Sequence, residues 1–195
     1  MKFILSILIF FNFSIAKVYA EETRQVDKHE HGVGELNIAT EGDVIELEFM
    51  IPGADIVGFE YVAKSDADIA SIKKALQTFE NYENIFTLPK NSRCQLTEKQ
   101  VALKEDEDDH DDHEGHDDHD DHEGHDEHAE ENHNEFYAKY SFECGNINAI
   151  KEVNFPYFAT FTNSGELEVQ FISNMGSTSF EVEKDEPSIN TDGKI

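Results

Sequence analysis

The sequence predicts an α+β fold: antiparallel β-sheet with one main amphipathic helix and a long, disordered His/Asp/Glu-rich loop. Three observations carry this. Apolar and polar residues alternate at a period of two over several short stretches on both sides of the chain's middle. One stretch instead repeats its apolar residues at helical spacing. Between them, residues 105–135 hold almost nothing apolar, so this span cannot offset the entropy of ordering itself.

The first 20 residues read as an export signal. Lys2 precedes an apolar run from Phe3 to Ile15, interrupted by Asn12 and Ser14, and Val18-Tyr19-Ala20 has the small–x–small form of a cleavage site. The run is too short to span a bilayer comfortably. The expectation is a soluble mature chain from Glu21, a single domain over 21–195, located in the periplasm of a Gram-negative host. A polar lead-in then ends in His29-Glu30-His31-Gly32. On an extended chain, residues two apart point the same way, so His29 and His31 are placed to share one ion. They read equally well as two exposed histidines near a free terminus.

Leu36 and Ile38, a turn at Glu41-Gly42-Asp43, then Ile45, Leu47 and Phe49 predict a β-hairpin with one wet face. Pro52 and Gly53 break it, and residues 55–61 form a compact apolar piece to pack on the sheet. Ser65 with Asp68 three residues on marks a helix start. Ile69, Ile72, Leu76 and Phe79 share a face, with Ala75 filling it, which predicts a helix over about 66–81. Residues 94–103 and 136–144 are read as strands flanking the loop. Val153, Phe155, Tyr157, Ala159 and Phe161 alternate, and with strands at 166–171 and around Phe180 and Val182 they predict a three-stranded meander. The tail from Lys184 is polar and expected to fray.

The chemistry is concentrated in the loop. His110, His113, His116, His119, His122, His125 and His128 recur every third residue, and His133 follows. Eighteen of residues 105–135 are Asp or Glu and none is Lys or Arg. Neutral imidazole is a ligand for zinc, copper and nickel, and carboxylates complete or orient the shell. At two to four histidines per ion, the tract has room for roughly two to four zinc ions. A calcium loop has no use for histidine. A pH-responsive tract is the rival reading, because protons and metal compete for the same nitrogens.

The formal net charge is −28 at pH 7. Nucleic acids and anionic membranes demand clustered Lys and Arg, so neither is an expected partner. Cys94 and Cys144 bracket the loop, and in an exported chain they read as one disulfide clamping the loop's base. The rival is two thiolate ligands or a redox pair, against which stands the lack of a C-x-x-C motif. No nucleophile elbow, phosphate loop or H-E-x-x-H is present, and every histidine lies in the loop or near the mature N-terminus. An enzyme is therefore not expected.

These features together resemble the ZrgA-type family of periplasmic, zinc-regulated zinc-binding proteins. The residues that carry the resemblance are His29-Glu30-His31-Gly32, Ile51-Pro52-Gly53-Ala54-Asp55 leading to Gly58-Phe59-Glu60, the helix from Ser65, and Cys94 and Cys144 around the acidic loop. The resemblance implies zinc acquisition alongside a zinc ABC importer and its solute-binding protein, and it implies His29 and His31 as ligands or ligand neighbours. Family members often carry His after Gly-Phe-Glu; this chain has Tyr61, so Glu60 is read as structural. The alternatives are a buffer sequestering excess zinc, copper or nickel, and a pH-responsive interaction module. Oligomeric state is open, a homodimer included.

Overall fold

The first alternating stretch folds as expected. β1 (Val33–Glu41) and β2 (Val44–Pro52) form an antiparallel hairpin about Gly42, whose φ of 59° suits glycine. Leu36, Ile38, Ile45, Leu47, Phe49 and Ile51 are buried on one face. The computed structural model of the chain describes residues 32–105 and 133–195.

Two short helical pieces and one long one follow the chain's breaks and periodicities: α1 (Gly53–Val57), α2 (Asp66–Phe79) and, later, α3 (Tyr157–Thr160). The remaining strands are β3 (Cys94–Glu105), β4 (Asn134–Cys144), β5 (Glu152–Asn154), β6 (Glu166–Ser173), β7 (Gly176–Glu183) and β8 (Ser188–Asn190). Six of them make one sheet in the order β3-β4-β2-β1-β6-β7, and β5 and β8 make a second, two-stranded one. The class is α+β.

The sheet is mixed rather than purely antiparallel, because β1 and β6 run parallel. The cause is local. The amides of Gly165 and Glu166 both donate to the Gly32 carbonyl at 2.8 Å, so β6 starts at the same end of the sheet as β1 and must run the same way. The meander is likewise corrected. Residues 151–161 do not form one strand: β5 stops at Asn154, and Pro156, whose fixed φ already suits a helix, caps the start of α3. The alternation still marked burial correctly at Val153, Phe155, Tyr157 and Phe161. Of the three expected meander strands, only those at β6 and β7 pair with each other. The tail is not frayed throughout, since β8 pairs with β5, Ile189 is buried and the Thr191 hydroxyl donates to the Ile150 carbonyl at 2.8 Å.

α2 begins as the sequence predicts. The Ser65 side chain accepts from the Asp68 amide at 3.1 Å and donates to its carboxylate at 2.7 Å. Its apolar face meets the sheet through its second half: Ala75 and Phe79 are buried, whereas Ile69, read as core-facing, is exposed. The Phe79 ring lies between Phe136 and Phe161, at centroid distances of 6.0 and 5.0 Å. The Tyr140 hydroxyl donates to the Phe79 carbonyl at 2.6 Å, satisfying an acceptor that the helix end leaves open. Burial pushes that hydroxyl well above the usual tyrosine range. Among the described residues no helix is long and apolar enough to cross a membrane.

Cys94 and Cys144 are disulfide-bonded, which removes them as thiolate ligands. The position of the bridge differs from the expectation. Cys94↔Cys144 is the first pair of the β3–β4 ladder and Glu105↔Asn134 the last. At the rise of an extended strand, β3 puts about 35 Å between the bridge and the point where the acidic tract leaves. The disulfide therefore clamps the far end of the hairpin, and the ladder itself holds the tract's base.

Candidate metal site

The only histidine among the described residues is His133. His29, His31, His110, His113, His116, His119, His122, His125 and His128 lie outside the described residues. So does the central part of the loop read as disordered, and so does the export signal. What the structure defines is the platform from which those segments depart.

That platform is built on α1. Gly58 ends this helix with a φ of 86°, and its amide donates to the Ala54 carbonyl at 3.0 Å. The reversal carries Phe59, Glu60 and Tyr61 back beside the start of β4. There Asn134 pins them: its backbone amide donates to the Glu60 carbonyl at 3.0 Å, and its Nδ2 donates to the Tyr61 carbonyl at 3.2 Å. The preceding residue, His133, brings its Nδ1 to 2.7 Å from Glu60 Oε2. Both side chains are largely shielded, the imidazole 18% exposed and the carboxylate 11%. The Tyr61 ring stacks on Phe59 with centroids 4.7 Å apart and is 55% exposed.

α1 also anchors the other departing segment. The buried Asp55 carboxylate accepts the Gly32 amide at 2.8 Å. Gly32 is the residue next to His31, so the His29-Glu30-His31 stretch joins the fold directly at this contact. β4 and β1 are separated only by β2, which sets their starts about 10 Å apart. Glu105, where β3 ends, pairs with Asn134. The N-terminal histidine pair, both ends of the histidine tract and Glu60 are thus attached to one end of one sheet.

The base of the tract is electrostatically braced. Lys104 places its ammonium 3.8 Å from the centre of the Tyr137 ring, and the Tyr137 hydroxyl donates to Glu48 Oε2 at 3.1 Å. Burial, and then the Glu48 carboxylate, push the Tyr137 hydroxyl above its usual range.

Gly53 makes this clasp possible. A Cβ on residue 53 would overlap Asn134 Oδ1 and come within 2.7 Å of the Phe59 carbonyl. Overpacking of this kind costs about 1–3 kcal/mol. Gly53→Ala should lower the melting temperature by several degrees, measurable by circular dichroism, and an unchanged melting curve would show that Asn134 has room to move.

The contact between Glu60 and His133 is what sequence reasoning missed. Glu60 lies 73 residues from His133, and nothing in the stretch Gly58-Phe59-Glu60 names its partner. Within the described residues no group of three or more His, Cys, Asp or Glu side chains is arranged to hold a metal ion.

A family model described as ZrgA family zinc uptake protein matches residues 28–191. The chain belongs to the ZrgA family. The match spans every strand of both sheets, the Gly32–Asp55 anchor and the Glu60–His133 pair. Membership in the ZrgA family gives the chain a zinc-related uptake role, and the family's description is of uptake rather than of a reaction. No curated protein matches the sequence at a significant level.

Proposed function

We propose that this ZrgA-family protein captures zinc in the periplasm with its His/Asp-rich tract and passes the ion to the solute-binding protein of a zinc ABC importer. The observation that carries the reading is the common attachment of the tract and the N-terminal histidine segment to one end of the sheet, beside the His133–Glu60 pair. In this reading the chain is exported by a signal cleaved after Ala20, is not an enzyme and works as a soluble carrier. Zinc is bound by His110, His113, His116, His119, His122, His125, His128 and His133, with His29 and His31 as neighbouring ligands.

The physical argument is one of lability. Overlapping His-x-x-His units of similar affinity let an ion move between ligands, whereas a closed tetrahedral site retains it. The acidic background draws cations in from a distance. Mixing the zinc-loaded protein with the metal-free solute-binding protein should transfer the ion, read as zinc co-eluting with the acceptor after rapid separation. Zinc that stays on the loaded chain at equimolar acceptor would count against acquisition and favour storage of excess metal.

A further inference from the structure

We infer that Glu60 is a positioning residue for zinc capture, holding the His133 imidazole with Nε2 as its metal-binding nitrogen. The inference rests on the capture role proposed for the tract and adds to it a residue outside the tract. The geometry is direct. Nδ1 of His133 lies 2.7 Å from Glu60 Oε2. An ionised carboxylate only accepts hydrogen bonds, so the ring nitrogen is the donor. In a neutral imidazole the other nitrogen then carries the lone pair, and no described residue engages Nε2.

The pair is also fixed from behind. Asn134, buried, bonds the Glu60 carbonyl with its amide and the Tyr61 carbonyl with its side chain, so the backbones bearing the acid and the imidazole are tied to each other. A ring immobilised before the ion arrives does not lose its rotational freedom on binding. A carboxylate behind a ligating imidazole also raises its basicity and sets its orientation, and losing such a partner weakens metal affinity about 10–100-fold. His133 would therefore be the preorganised first ligand, at the point where the tract rejoins the sheet.

The test combines affinity with a direct readout of the tautomer. Side-chain nitrogen NMR of the metal-free protein, at a pH where His133 is neutral, should find Nδ1 protonated and Nε2 bare. Glu60→Ala should release that preference. In cobalt(II) and zinc titrations, Glu60→Gln should weaken the tightest step about 10–100-fold. His133→Ala should remove that step, and both variants should keep the remaining sites and melt close to the parent. If His133 is protonated at Nε2, or if Glu60→Gln binds as tightly as the parent, Glu60 has only a structural role. If His133→Ala keeps every step, His133 is no ligand. Either result overturns this inference while the tract's role stands; a parent protein that binds no zinc overturns both.

Discussion

Replacing residues 106–132 with a short Gly/Ser link should abolish most zinc binding and leave the fold intact. The segment removed carries seven of the eight tract histidines, and only His133 remains. At two to four histidines per ion, the expected stoichiometry falls from roughly two to four ions to at most one. The fold should survive because Glu105 and Asn134 already face each other across the β3–β4 ladder, where neighbouring strands lie about 5 Å apart. A few residues bridge that distance, so the deletion turns a long connection into an ordinary hairpin. Calorimetric titration of both chains, with circular dichroism beside it, checks the expectation. A shortened chain that keeps the parent's full stoichiometry would move the chemistry onto the folded domain. A small residue of binding would point to His133 with His29 and His31.

Removing the disulfide should have the opposite profile, a large loss of stability with no loss of zinc. Cys94 and Cys144 are 50 residues apart in sequence, and releasing that closure in the unfolded chain is worth about 4 kcal/mol. For a domain of this size the melting temperature should drop on the order of 10 °C in a Cys94→Ser/Cys144→Ser double variant. Zinc stoichiometry and affinity at 25 °C should match the parent's, because the bridge sits about 35 Å along β3 from the tract. Scanning calorimetry and zinc titration of the same preparation decide the matter. Zinc binding that weakens at a temperature where the variant is still folded would show that the bridge does restrain the tract after all.

The sequence was informative where structure is local. The β1–β2 hairpin, the Ser65 cap and the β6–β7 hairpin follow from alternation and turn chemistry within a dozen residues, and the α2 helix from its apolar spacing. The cysteine pairing was legible by count alone. What escaped was set by partners distant in sequence. The direction of β6 depends on the Gly32 carbonyl, more than a hundred residues upstream. Residues 155–161 alternate like a strand, yet Pro156 turns them into α3, which packs against residues 84–85 through the Tyr157 amide and the Thr160 hydroxyl. The histidine tract could suggest a chemistry through residue type and spacing alone. Glu60 could not, since a single carboxylate acquires its meaning only from the imidazole beside it.

The register pair Glu105↔Asn134 has a consequence for how such a protein can change over time. Lengthening the connection at a closed strand end raises the closure entropy by only about 0.6 kcal/mol for each doubling of its length. The number of His-x-x-His units grows in direct proportion to that length. With the tract binding zinc as proposed, metal capacity becomes a nearly independent variable of this architecture: gaining or losing a few triplets would rescale the load while the sheet, its aromatic core and its distant covalent bridge stay as they are.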